Sequence, residues 1–492
     1  MRWLLLWSET SPDDGTTFEK DEVRQNFAKA LLMASDLWSR RAFSSWSTFG
    51  EDLEADRRRS LPGVLAGVEG SDVTPSLDKS LGRGWIIFDE YLPKYYPSFK
   101  AAFQSATGLT LAEFYSCVAM VIVNFLNPIR GTGIFSAVDF RNANTIYESA
   151  PSTEIIEKYL EVHSIDSERL RRAFWGDNVE RADEFDDQNQ TPPLKYRPLR
   201  QKPLLKVADG RSIVLDPIIY SDSASVGPLF MISSNRRDEA LRAFGSAFED
   251  YILDMLERMF PMANAVLHKR FCRDVDLPDG TKSLQVDGVL NDLSELVVFE
   301  VKAGFLTEES TTGKDPEAFL GELREKYVRK SDGTEKGVGQ LARRTKIIAD
   351  VGWDDLDVSL AQLKRIYPVL IVSDTRLSAP IIGEVLASEF VQYFDLKQPP
   401  RIGGFTIGDV RVDLPIIMTV DDLENLEVSV EKIGFRDLLA AYSTACPDRN
   451  SSLLNYMAIS EYSSVLRRNR NTAEGALAVL DLIRANSSTE SA

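Results

Sequence analysis

The chain has 492 residues, with 75 acidic against 57 basic side chains and a net charge of −18. So negative a balance excludes a protein that coats nucleic acid through its overall field, since like charges repel. Only His163 and His268 occur, too few for most histidine-metal nucleases or zinc hydrolases, and neither follows a nucleophile motif.

From the N-terminus, MRWLLLWSET has too short an apolar run for a secretory signal. Segments 21–46, 97–127 and 153–175 carry apolar residues at helical spacing, so residues 1–190 are expected to form a mostly helical N-terminal domain. The longest apolar run, CVAMVIVNFL (117–126), is well short of the ~20 residues that span a bilayer and is expected to be a buried helix. Trp38, Trp46 and Trp85 are assigned to the core. The acidic, proline-terminated RADEFDDQNQTPP (181–193) marks the clearest boundary. A β-rich bridging segment, 195–235, follows, in which KPLLKVADGRSIVLDPIIY (202–220) reads as a hairpin around Asp209-Gly210, with a turn at Asp216-Pro217. Cys117, Cys272 and Cys446 lie far apart and without zinc-ligand spacing, which predicts a reducing, cytoplasmic setting.

Residues 236–445 form the third unit. AFGSAFEDYILDMLERMF (243–260) places Phe244, Phe248, Ile252, Met255 and Met259 on one helical stripe, with Glu249 at its edge. A strand-like AVLHK (265–269) precedes LQVDGVLNDLSELVVFEVKA (284–303), two apolar runs around a polar break, which reads as a β-hairpin. With the turn centred between Leu293 and Ser294, Asp287 stands opposite Glu300, their Cβ atoms about 5 Å apart. Alternation puts Glu300 and Lys302 on that same face and Phe299 and Val301 on the other. Like charges opposed in a sheet are destabilising. A divalent cation would account for them.

Between Gly304 and Gly337 lies a polar insertion with a short amphipathic helix at 316–329. It is expected to clamp substrate through Arg324, Lys326, Arg329 and Lys330, to cover the site, or to form a solvated surface helix. Then follow a helix at 338–351, a buried strand at 366–374, a helix at 381–394 and a β segment at 409–427 that extends the sheet. Residues 446–492 are expected to be a helical tail with a disordered SSTESA end.

Asp287 … Glu300-Val301-Lys302, after apolar strands and a preceding helix with Glu249, resembles the PD-(D/E)XK nuclease superfamily. The resemblance covers about residues 238–375 in the order α-β-β-β-α-β. It implies an α/β fold with a restriction-endonuclease-like mixed sheet. Two departures are visible: Val286 stands where the name-giving proline would be, and Arg344 stands where exonuclease-type branches carry a tyrosine. The resemblance implies Mg²⁺ or Mn²⁺ held by Asp287, Glu300, the Val301 carbonyl and Glu249. Lys302 would orient or deprotonate water, and Gln340 would position the lysine or the substrate. Two clusters are expected to meet phosphates: Lys269, Arg270 and Arg273 before the hairpin, and Arg343, Arg344 and Lys346 after it.

The function expected is a metal-dependent DNA endonuclease of prokaryotic restriction or anti-phage defence, with RNA left open as substrate. A defence-system partner protein and a homodimer are both compatible with the sequence; a membrane partner is not expected. The alternatives are a repair or recombination nuclease working with a helicase, and an interaction protein with an inactive nuclease fold.

Overall fold

The computed structural model describes residues 77–126, 137–138, 151–170, 172–173, 197–206, 212–214, 216–261, 269–277, 285–292, 294–312, 316–353, 362–396, 403–449, 451–465, 472–479 and 481. The helix expected at 21–46, Trp38, Trp46, the boundary at 181–193, His268 and the SSTESA end lie outside the described residues.

The N-terminal part contributes helices α1 (Leu77–Ile86), α2 (Phe99–Thr107), α3 (Leu111–Leu126) and α4 (Thr153–His163). The Ser152 hydroxyl accepts the Ile155 N–H at the start of α4, and Gly108 closes α2 at φ +73°, a conformation that favours glycine. The part of the apolar run whose side chains are described, 117–122, is buried, with Cys117, Val118, Ala119 and Val121 wholly enclosed. No single helix among the described residues is long and apolar enough to cross a membrane. A small sheet joins β1 (Ala137–Val138), β2 (Ser164–Asp166), β3 (Leu204–Lys206) and β4 (Ser212–Val214) in the order β1-β4-β3-β2.

β3 and β4 pair antiparallel, Leu204↔Val214 through Lys206↔Ser212, as expected of a hairpin, while the Asp209-Gly210 turn lies outside the described residues. The second limb ends sooner than the sequence suggests. Pro217 opens α5 (Pro217–Ser225), and the Asp216 carboxylate accepts the Ile219 N–H at 3.0 Å. A proline in a first helical turn forfeits no hydrogen bond, and the aspartate caps the turn. Asp216-Pro217 is therefore a helix start, and the bridging segment is less β-rich than read.

A long helix, α6 (Ser234–Met259), leads to a mixed seven-stranded sheet. Its strands are β5 (Lys269–Asp276), β6 (Gln285–Asp292), β7 (Glu295–Lys302), β8 (Arg365–Val372), β9 (Gly404–Ile407), β10 (Val410–Asp413) and β11 (Ile416–Thr419). The protein is thus a mixed α/β protein. β6 runs antiparallel to both β5 and β7, whereas β8 runs parallel to β7. The far edge of β8 pairs first with β10 at Arg365 and Ile366, then with β11 from Val369 to Val372. Pro368, which has no N–H to give to a ladder, falls between the two pairings.

Helices cover both faces. Phe271, Phe299, Val301 and Val369 share one core with α6 and with Phe88, Phe99 and Phe103 of the N-terminal helices. The other core joins Val289, Val298 and Leu370 to α7 (Pro316–Tyr327), α8 (Gly337–Val351) and α9 (Pro380–Val391). One core therefore spans residues on both sides of the boundary read at 181–193. α7 is no solvated surface helix, because Phe319, Leu320, Leu323 and Tyr327 are buried in the second core.

A buried ion network ties the first of these layers together. The Arg83 guanidinium on α1 donates to both Glu424 oxygens at 2.7 Å and also contacts Asp421, both on α10 (Val420–Glu427). The Tyr251 hydroxyl of α6 donates to the same Glu424 carboxylate at 2.8 Å. Glu424 has no exposed surface, whereas Asp421 is 31% exposed. Removing one partner of a buried pair costs about 3–5 kcal/mol because the other charge is stranded. Arg83→Met is expected to lose stability of that order in urea unfolding, and Asp421→Asn less than half as much. An Arg83→Met loss below about 1 kcal/mol would remove this network from the account of how α1 and α10 are held.

Candidate active site

The β6–β7 pairing runs from Gly288↔Phe299 to Asp292↔Glu295. Extended by one residue, it sets Asp287 opposite Glu300, the register expected from the hairpin. Phe299 and Val301 face the α6 core, so Glu300 and Lys302 face α8. Asp287 is held by the sheet itself, its Oδ2 accepting the Val301 N–H at 2.8 Å. Glu300 is fully buried, and the Lys302 Nζ lies 2.5 Å from its Oε1. From α8, Arg344 reaches across the pair: its Nη1 contacts Glu300 Oε2 and lies 3.4 Å from Asp287 Oδ1. Burial weakens the hold of Arg344 on its proton, while the carboxylates of Asp287 and Glu249 strengthen it; burial prevails.

Glu249 reaches the group from the opposite face. Leu253 lies over Gly288, where an added Cβ would stand 3.4 Å from its Cδ2. Glu249 is one turn earlier on the same side of α6, which directs it towards the Asp287 end of the sheet. Burial pushes its carboxyl up to about 7, the charges of Asp287, Asp274 and Asp250 add to this, and Lys302 opposes it. The space left by Gly288 does not admit a ligand. A Cβ there would meet the Phe271 ring at 2.9 Å, so the glycine makes room for packing.

Asp287, Glu300, Lys302 and Glu249 therefore come together, whereas most of the expected phosphate contacts are paired elsewhere; Gln340 lies on α8 one turn before Arg344. The Gln340 carbonyl oxygen accepts the Gly337 N–H at 3.1 Å, capping its own helix. Val301 contributes its N–H to Asp287. The strand expected at 265–269 is described only from Lys269 onward, within β5, and Arg270 and Arg273 lie in that strand. The Lys269 side chain lies outside the described residues, and Arg270 is exposed. Arg273 is consumed by acids, at 2.8 Å from Asp250, 2.9 Å from Asp254 and 3.2 Å from Asp274. Arg343 pairs with Glu335 at 3.3 Å and Lys346 with Asp395 at 3.6 Å.

The insertion is a buttress, with its cations largely spent. Arg324 pairs with Glu389 at 2.7 Å, Lys326 with Glu322 at 2.6 Å and Arg329 with Glu335 at 3.8 Å, while Lys330 is exposed. The Tyr327 hydroxyl donates to the Gly304 carbonyl at 2.5 Å, and Asp374 accepts the Leu306 N–H at 2.8 Å. Both pin the chain as it leaves Lys302.

Three participants were not foreseen from the sequence. Arg344, expected to meet phosphate, lies on the carboxylates instead; its place on the buried stripe with Leu341 and Ile348 is the signal for this. Asp274 continues the β5–β6 register opposite Asp287, but charges at alternate positions hid that edge strand. Lys336, at the start of α8, is lowered by burial and by the ammonium groups of Lys302 and Lys330, which puts three lysines on one side of the site.

Three carboxylates from α6, β6 and β7 are hard oxygen donors, chemically suited to Mg²⁺ or Mn²⁺. As arranged, however, they do not fit an ion. Among the described residues no three acidic, histidine or cysteine side chains are placed to share a metal, and Arg344 lies across Glu300 and Asp287. In comparison with known proteins, no family model matches the chain, and no curated protein or solved structure is detectably similar to it.

Glu249 generates a pH prediction. Its carboxyl ionises near 7 in the folded protein and near 4.5 when unperturbed. Between these values the native state holds more protons than the unfolded chain, so stability falls as pH rises through this window. The loss is complete above about 7, and roughly 1–2 kcal/mol is expected after allowance for partial exposure. Urea unfolding in chelator at pH 5 and pH 8 should show wild type losing that much more than Glu249→Gln. Equal losses would rule out Glu249 as the source.

Proposed function

We propose that the chain is a nuclease that hydrolyses phosphodiester bonds of DNA at the Asp287–Glu300–Lys302 end of the sheet. The observation that carries the reading is the opposed pair Asp287 and Glu300, with Lys302 two residues on and Glu249 converging from the preceding helix. A sheet gains nothing in stability from such a group. The order α6, β5, β6, β7, α8, β8 is that of a restriction-endonuclease-like core and supports the same reading.

Each residue has a role that its surroundings suit. Lys302 is 23% exposed, so its ammonium can meet a phosphate oxygen while remaining beside Glu300. Glu249 ionises near neutrality, the range in which a carboxylate is an effective acceptor of a water proton. Lys330 and Lys336 lie on the Lys302 side and supply positive potential where the protein is otherwise acidic. A place in restriction or anti-phage defence, and dependence on Mg²⁺ or Mn²⁺, belong to the proposal through the family resemblance.

A second reading is an interaction protein with an unused nuclease fold. Arg344 favours it, because its guanidinium already balances the charge of Asp287 and Glu300. Cleavage of supercoiled plasmid with Mg²⁺ or Mn²⁺ decides between them. Nicking or linearisation by wild type, reduced about 100-fold or more in Asp287→Ala and Lys302→Ala, is the expected result. Equal cleavage by all three proteins would place the activity elsewhere. Silence on plasmid, single-stranded DNA and RNA, with no Mn²⁺ bound, would favour the interaction reading.

A further inference from the structure

We infer that Arg344 is the resident counter-cation of this site and that a divalent cation reaches Asp287 and Glu300 only by displacing its guanidinium. The inference rests on the nuclease reading for the identity of the incoming ion. It starts from the disagreement between the donor set, which suits a hard cation, and the arrangement, in which a guanidinium occupies the shared ground.

First, Glu300 is wholly buried, and a carboxylate out of water and opposite another needs a positive charge within reach. Arg344 meets that need: it is 8% exposed and projects from the buried stripe of α8. Second, one nitrogen serves both carboxylates: Arg344 Nη1 contacts Glu300 Oε2 and donates to Asp287 Oδ1 at 3.4 Å, while its buried Nε has no hydrogen-bond partner, so the fork is not committed two-point to either carboxylate. Third, the two cations exclude each other. An Mg²⁺ ion takes its oxygens at about 2.1 Å, and Arg344 holds the Asp287 oxygen at 3.4 Å and contacts that of Glu300. Both cannot occupy that gap without strong repulsion in a weakly screened interior.

Metal binding to the full chain tests this directly. Mn²⁺ titration by calorimetry, with free Mn²⁺ followed by EPR, should show Arg344→Gln binding at least about tenfold more tightly than wild type. Arg344→Lys, which keeps the charge on a shorter reach, should fall between them. Adding Glu300→Gln to Arg344→Gln should abolish the gain, which ties it to this site. Without metal, Arg344→Gln should melt below wild type, and Mn²⁺ should restore more stability to it than to wild type. If Arg344→Gln folds only with Mn²⁺ present, the inference also stands, since the ion has then taken over the role of the guanidinium. If it does not fold in either condition, the Arg344→Lys titration decides.

Equal Mn²⁺ affinity in wild type and the Arg344 variants overturns the inference. Its failure and that of the nuclease reading are separable. Tight Mn²⁺ binding by Arg344→Gln without cleavage of any nucleic acid supports the displacement and removes the nuclease. Metal-dependent cleavage by wild type, lost in Asp287→Ala, with affinity unchanged by the Arg344 variants, does the reverse.

Discussion

Two carboxylates facing each other across β6 and β7, one of them shut off from water, are the constraint on which this part of the molecule depends. Their repulsion in a weakly screened interior must be offset locally, and each neighbour can be understood from that requirement. The Val301 N–H points at Asp287, Lys302 reaches back to Glu300, and an arginine interrupts the apolar stripe of α8. Glu249, buried and beside Asp287, holds its proton up to about 7 despite the charge of Lys302. One unfavourable contact thus shapes the chemistry of four elements.

The surrounding charge matters for any nucleic acid that approaches. Most basic side chains near the sheet are spent on local acids, with Arg273 alone facing Asp250, Asp254 and Asp274. Near the site, Lys336 feels the ammonium groups of Lys302 and Lys330 and the carboxylate of Asp332.

Rigidity around the site comes from burial on both faces. The N-terminal helices lie in the same core as α6, with Phe88 stacked on Phe244 at 6.3 Å, and the Arg83–Glu424–Tyr251 network locks α1 and α10 to it. On the other face α7 fills the second core and ties down the strand exit through Tyr327. Side chains held this way keep Glu249 and Arg344 in place from opposite sides of one sheet. The N-terminal helices are therefore structural partners of the site-bearing layer, joined to it by packing.

Much of this was legible along the chain. The hairpin register, the facing of Glu300 and Lys302, the helix that carries Glu249 and the buried strand β8 all follow from local periodicity and turn placement, because neighbours in a strand or helix are set by fixed spacings. Edge strand β5 was obscured because its charged residues mask the alternation, and the helix at Pro217 because proline signals a turn as readily as a helix start. The fate of the cations was not legible at all. Whether Arg344 meets a phosphate or a carboxylate, and whether Arg273 is free or quenched, depends on which element packs across from it, and sequence spacing carries no information about partners on separate elements. Local spacing decided where the acidic groups stand; tertiary packing decided what neutralises them, because charge pairing acts through space.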